Sequence, residues 1–141
     1  MLVSVAGCST ILDPVQGRGP ADPAADMAPE LLVADPVEVA PGGVVGLTFP
    51  GGTTRGVLFV LERRVGSGWD YQYDLLSDGP GPGWERAWHA VGDEPMAVED
   101  IGVGGIGPDR VPIPDVAEPG AYRICTGNSA PNICTPIVIG S

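Results

Sequence analysis

The chain has 141 residues, of which 22 are glycine and 16 are proline, and its formal net charge is −11 at pH 7. This length predicts one domain, and the acidic balance argues against a nucleic-acid partner, because nucleic-acid backbones attract basic surfaces. It also argues against electrostatic docking on anionic lipid. No apolar run approaches the roughly 20 residues of a membrane-spanning helix.

The first informative segment is the tetrad Val5-Ala6-Gly7-Cys8. It resembles the lipobox of bacterial lipoproteins, and that resemblance implies a lipid on the Cys8 thiol and cleavage just before it. Residues 1–7 would then be the remnant of a signal peptide. The protein would be an extracytoplasmic lipoprotein, anchored to the membrane of a high-GC, actinobacterial type of cell envelope. The alternative is a frayed terminus with an unmodified thiol, since no basic residue precedes the tetrad as in a full signal peptide.

Residues 8–30 are rich in proline, alanine and aspartate and show no apolar periodicity. Such a composition buries too little apolar surface to fold, and its prolines favour an extended chain. We therefore predict that residues 8–30 form a disordered linker between a lipid anchor and a folded domain at residues 31–141.

The segment 31–141 consists of short apolar runs separated by Gly/Pro turns, which is the pattern of β-strands. A proline at Asp35-Pro36 predicts an edge or kinked first strand. Residues 45–49 alternate apolar with small or polar side chains, as in a half-buried strand, whereas residues 57–61 are apolar on both faces, as in a central strand. The total of seven or eight strands, without a convincing long helix, predicts a β-sandwich.

Residues 69–75 also alternate, with Trp, Tyr and Leu at every second position. This pattern predicts an aromatic face and an opposite acidic face that carries Asp70, Asp74 and, just beyond, Asp78. Extracellular sandwiches sometimes bind calcium through such rows, so a calcium-dependent adhesion module is one alternative function. The spacing matches no calcium-binding loop, and we therefore predict a solvated face and no metal site.

Residues 84–92 predict a further strand, although a helical turn at 87–91 is an alternative. Trp84 and Trp88 either fill the core or form a binding surface beside the Gly-Pro-Gly loop, because exposed aromatic residues often anchor partners. His89 is the only histidine and hence the only candidate imidazole base. A secreted hydrolase or its accessory domain is therefore another alternative function, but we predict that the protein is not an enzyme and uses no cofactor.

Two glycine motifs resemble catalytic elements. Residues 102–107 fit the dinucleotide pattern G-x-G-x-x-G, but the prolines that follow prevent the helix whose N-terminus would receive the phosphate. Residues 127–131 approach the G-x-S-x-G nucleophile elbow but lie between two predicted strands rather than before a helix. Both segments are predicted to be loops.

The last two predicted strands contain Cys125 and Cys134, separated by the turn-forming residues GNSAPN. Antiparallel pairing can place the two cysteines opposite each other at the separation a disulfide needs. An oxidising compartment would favour that bond. In a cytosolic protein both would remain reduced thiols.

Residues 116–125, Val-Ala-Glu-Pro-Gly-Ala-Tyr-Arg-Ile-Cys, resemble the tyrosine corner of immunoglobulin-like and fibronectin-III-like domains. The resemblance implies an all-β, Ig-like antiparallel sandwich in which the Tyr122 hydroxyl bonds backbone a few residues upstream. Cys125 lies three residues after Tyr122 and should face outward with Arg123, so the disulfide is predicted to link strands on the outer face. The predicted function is binding or structural, toward an unknown protein or envelope component.

Overall fold

The computed structural model describes residues 13–14, 19–52, 58–77, 86–91, 106–127 and 129–140. These residues are all-β, as predicted, with turns and bends between the strands. Among them there is no helix whose length and apolar character would let it cross a membrane.

Eleven strands occur in the described part of the chain. They are β1 (Asp13–Pro14), β2 (Val33–Asp35), β3 (Glu38–Val39), β4 (Val44–Thr48), β5 (Phe59–Val65), β6 (Gly68–Ser77), β7 (Arg86–Ala90), β8 (Asp109–Pro112), β9 (Gly120–Thr126), β10 (Ser129–Ala130) and β11 (Cys134–Ile139). The strand alternative for residues 84–92 is therefore confirmed over the helical turn.

The strands form a six-stranded sheet in the order β3-β11-β9-β5-β6-β7, a three-stranded sheet in the order β2-β4-β8, and the small pair β1-β10. The strands pair antiparallel, as predicted for a sandwich, except that β3 runs parallel to β11. The reason is that the first long strand divides at Asp35-Pro36. Its first half pairs with β4, and its second half lies beside the last strand of the other sheet.

Both larger sheets contribute side chains to one apolar core. Val45, Leu47 and Phe49 are buried on the three-stranded sheet, as their alternation predicts. They belong to the same buried cluster as residues of the six-stranded sheet such as Phe59 and Ile124. Full burial of each such side chain contributes about 1.5–3 kcal/mol, so this shared core holds the two sheets together in a sandwich-like arrangement.

Strand β5 lies inside the six-stranded sheet, between β9 and β6. Its residues 59–61 are buried whichever face they point to, which confirms the prediction of a central strand. Residue Val60 belongs to a second buried cluster with the two late cysteines, on the face opposite the main core. A central strand in a sandwich normally has one solvated face, so something must cover the outer side of this sheet.

The cover is the segment 19–30, which we call the N-terminal strap. The amide of Ala28 donates to the Cys134 carbonyl oxygen over 2.7 Å, and Met27 forms a β-bridge with the same residue. Ala21 is 3% exposed and packs in the second cluster. The prediction that residues 8–30 form a disordered linker is therefore wrong for residues 19–30, because the sheet supplies hydrogen-bond partners that composition does not reveal.

Strand β6 contains a register shift that changes the predicted faces. Tyr73 pairs with Leu61, but Tyr71 pairs with Glu62, so Gln72 is an extra residue on β6. A bulge of this kind reverses the alternation on one side of it. The prediction that residues 69–75 have one aromatic face is wrong, because Tyr73 packs against the main core and Tyr71 against the outer cluster.

The same shift separates the predicted acidic row. Asp70 pairs with Arg63, whereas Asp74 pairs with Val60 two residues beyond the shift. Directly paired residues share a face, so Asp70 lies on the core-facing side of the sheet and Asp74 on the outer side. The prediction that these two carboxylates share a face is wrong, and Asp78 lies outside the described residues.

Candidate functional site

The disulfide is placed by the antiparallel pairing of the last two long strands. Cys134 is the direct partner of Cys125 across β9 and β11, with a Cα–Cα distance of 4.0 Å. The two sulfur atoms are bonded, which confirms the predicted pairing and its position on the face opposite the main core. Both residues are fully buried, because the strap covers this face.

A buried ion pair lies on the same outer face. Oxygen Oε1 of Glu62 accepts from Nη2 of Arg123 at 2.7 Å and from its Nε at 2.8 Å. The exposed fractions of the two side chains are 1% for Arg123 and 2% for Glu62. Charges so completely removed from water require both a partner and additional hydrogen bonds.

The strap supplies those additional hydrogen bonds. Oxygen Oε2 of Glu62 accepts from the Ala21 amide at 2.8 Å. Arg123 donates from Nη2 to the Asp22 carbonyl oxygen at 3.2 Å and from Nη1 to the Ala25 carbonyl oxygen at 3.5 Å. The Trp69 ring lies 4.6 Å from the Arg123 guanidinium carbon, within cation–π range. This cluster therefore fastens the strap to the sheet.

Tyr122 fixes a turn at the other end of β9. Its ring is buried in the main core, and its hydroxyl donates to the Glu118 carbonyl oxygen at 2.7 Å, four residues upstream. This is the predicted geometry. Burial raises the pKa of the Tyr122 phenol, and the Arg63 charge acts in the opposite direction.

An open groove of about 580 Å³ lies beside this turn, and we call it the β6–β7 groove. Gln72 and Tyr73 on β6 line it, together with Val91 just after β7 and Val116 on the turn before β9. The Val91 amide donates to the Gln72 carbonyl oxygen at 3.0 Å, which holds the end of β7 to the bulge. The groove therefore lies between the bulge in β6 and the turn that Tyr122 fixes.

Two charged side chains form one wall of the groove. Nη1 of Arg63 lies 3.1 Å from Oε1 of Glu118, and Arg63 Nη2 donates to the Pro119 carbonyl oxygen at 3.0 Å. The exposed fractions of the Arg63 and Glu118 side chains are 30% and 75%, so this pair remains open to water and to a partner. Val116 is 74% exposed on the same turn.

The groove lining combines charged, polar and apolar groups. It offers a guanidinium, a carboxylate, an amide and tyrosine rings next to exposed valines. We therefore regard the β6–β7 groove as a candidate binding surface.

Of the remaining predicted site residues, only Trp88 lies among the described residues. Cys8 and Trp84 lie outside the described residues, whereas Trp88 lies on β7 and packs against the main core. The alternative in which Trp88 packs in the core is therefore confirmed, and a binding role for Trp88 stays a prediction. His89 lies on β7, where its cross-strand partner is Asp74 of β6.

Sequence reasoning missed the residues that build both features, namely Glu62 with Arg123 and Arg63 with Glu118. Each pair joins residues more than fifty positions apart in the chain, so no local motif marks it. One indication is present in the sequence: Arg123 and Cys125 are two positions apart on a strand and therefore point to the same face, which is the outer face.

The two glycine motifs do not precede helices. Residues 102–105 of the first lie outside the described residues, but the chain continues from Gly107 through Pro108 into β8. The second motif contains strand β10. Among the described residues, no group of three His, Cys, Asp or Glu side chains could hold a metal ion. Comparisons with protein-family models, with curated proteins and with solved structures find no match for this chain.

Proposed function

We propose that this protein is a membrane-anchored extracytoplasmic binding domain with an Ig-like β-sandwich. The observation that carries the proposal is the buried bond between Cys125 and Cys134. Structural disulfides form and persist in oxidising compartments and are rare in the cytosol. A bond that joins directly paired strands beneath a covering segment has a structural role, and this supports an extracytoplasmic location.

The strand order supports the Ig-like fold. The sequence β11-β9-β5-β6-β7 corresponds to the G-F-C-C′-C″ order of variable-type domains, and β2-β4-β8 corresponds to A-B-E. The Tyr122 hydrogen bond to Glu118 is the geometry of a tyrosine corner on the strand equivalent to F. The disulfide differs from that of antibody domains, because it joins F to G on the outer face rather than B to F through the core.

The anchor is proposed from the lipobox resemblance at Cys8. Two of the three cysteines are joined to each other, so Cys8 is the one left for a thioether lipid. A single acyl chain gives marginal membrane binding, and stable anchoring takes two or more chains, which the lipoprotein modification that this resemblance implies would supply.

The binding role is proposed from the β6–β7 groove. Its lining combines an exposed ion pair with the 74% exposed Val116, and open polar and apolar groups of this kind are typical of contact surfaces. The partner is a protein or another component of the cell envelope.

Two measurements test the proposal. Intact mass of the protein from its native host should show a chain that begins at a diacylated or triacylated Cys8, and an unmodified Met1 start would refute the anchor. A photo-crosslinking residue at Val116 should give a specific envelope adduct in living cells. The control position is Val44, which is 43% exposed on the three-stranded sheet. Equal labelling from both positions, or none from Val116, would refute a binding role for the groove.

A further inference from the structure

We propose that the chain leaves the domain at the end opposite the β6–β7 groove, so that the anchor turns the groove away from the membrane. This inference rests on the lipid anchor proposed above. It identifies the partner as one that stands off the bilayer, and it excludes one that is embedded in the bilayer beneath the domain.

The strap begins beside the connection between β9 and β11. The Asp22 amide donates to Oδ1 of Asn132 at 2.8 Å, in the connection between β9 and β11. Gly19 lies close to Gly127, since its carbonyl oxygen is 3.6 Å from the position that a Cβ atom on Gly127 would occupy. Both contacts place the start of the strap at the β9–β11 connection.

Strand β1 pairs with β10, which lies in the same connection. Asp13 is the partner of Ala130, and Pro14 is the partner of Ser129. The chain between Cys8 and Asp13 spans five residues, which reach at most about 18 Å when fully extended. A lipid on Cys8 therefore holds the β9–β11 connection close to the bilayer surface.

The position of the groove can be followed along the paired strands β5 and β9. Within the β5–β9 pair, Phe59 is aligned with Thr126 and Arg63 with Tyr122. The turn that carries Val116 precedes Gly120, at the opposite end of β9 from Thr126. Six residues of strand separate those ends, which corresponds to about 20 Å. The part of the groove formed by Val116 and Glu118 therefore lies at the end of the strands farthest from the anchor, while Tyr73 and Ala90 lie level with Ile124.

Charge does not supply a competing orientation. Residues 127–133 contain no charged side chain, and the strap contains three acidic residues and no basic ones. Attraction to anionic lipid headgroups requires clustered Lys or Arg. At this end of the domain the short covalent connection, rather than charge, therefore holds the protein to the membrane, and on neutral phosphatidylcholine the orientation should not change with ionic strength.

Fluorescence energy transfer on vesicles tests this orientation. The oxidised full-length protein is coupled through Cys8 to a maleimide lipid in phosphatidylcholine vesicles that carry an acceptor lipid. The donor is attached through Pro131→p-azidophenylalanine in one sample and Val116→p-azidophenylalanine in the other. We expect the donor at 131 to lie about 20 Å closer to the acceptor plane than the donor at 116, with the same difference at 0.5 M NaCl.

A flexible control isolates the role of the short connection. Insertion of a long Gly/Ser segment between Cys8 and Asp13 should remove the difference between the two labels. Equal transfer from both labels with the native connection, or greater transfer from position 116, would overturn the orientation without affecting the anchor. A native protein without lipid on Cys8, as measured by intact mass, would overturn the anchor and the orientation together.

Discussion

The buried Glu62–Arg123 pair should control the stability of the whole domain. In Glu62→Gln, the one remaining acceptor oxygen cannot serve both the Arg123 guanidinium and the Ala21 amide, which are bound by different oxygens of Glu62. The new NH₂ group must face one of these donors, and the Arg123 charge stays buried without a counter-charge. Removal of one partner from a buried pair costs about 3–5 kcal/mol. The free energy of unfolding of a typical domain is only about 5–15 kcal/mol, so this loss would be a large part of it.

Urea unfolding followed by tryptophan fluorescence measures this cost, and Trp69, one of the three tryptophans, lies against Arg123. The single variants Glu62→Gln and Arg123→Met should each lose about 3–5 kcal/mol. The double variant Glu62→Gln/Arg123→Met should lose less than the sum of the two, because it leaves no buried charge unpaired.

The exposed Arg63–Glu118 pair is the matched control. Its N–O distance of 3.1 Å is similar, but its side chains are open to water, so Glu118→Gln should cost at most about 1 kcal/mol. If Glu62→Gln were equally mild, water would have to reach the buried pair, and the conclusion that the strap seals this face would be wrong.

Three further predictions concern the disulfide, the tyrosine corner and the strap. Replacement of Cys125 and Cys134 by alanine should lower the free energy of unfolding by about 2.6 kcal/mol, the chain-entropy value for so short a loop, as measured in urea. Because the pKa of Tyr122 is raised above its ordinary 10.0, the unfolded chain loses this proton first as the pH rises, and stability should fall above pH 10. Tyr122→Phe should cost about 0.5–1.5 kcal/mol at neutral pH and should lack that alkaline fall; an identical pH profile would count against the assignment. Ala21→Asp should place a second carboxylate beside Glu62 and increase amide hydrogen exchange across residues 21–28, and unchanged protection there would contradict the packing of the strap.

Local periodicity was sufficient for the strands that pack on both sides of the core. The alternation at residues 45–49 and the apolar run at residues 57–61 depend only on which face of a strand meets the other sheet. The pairing of Cys125 with Cys134 was accessible for the same reason, because a short turn between two strands fixes their register.

The faces of β6 could not be predicted, since Gln72 has no residue signature that marks it as a bulge. A single extra residue reverses the alternation on one side of it, and here it moves Tyr71 to the outer face while Tyr73 stays in the core. Gln72 also lines the β6–β7 groove, so the residue that interrupts the alternation belongs to the candidate binding surface.

The strap shows why a composition typical of disorder can belong to a folded segment. Small side chains such as Ala21 and Ala25 allow the strap to approach the disulfide closely. Pro20 and Pro23 have no amide hydrogen that would need a partner. Three of the remaining backbone groups are satisfied from outside the segment: the Ala21 amide by Glu62, and the Asp22 and Ala25 carbonyl oxygens by Arg123. Disorder follows from composition only when a segment must stabilise itself, and this one is stabilised by the ion pair of the sheet that it covers.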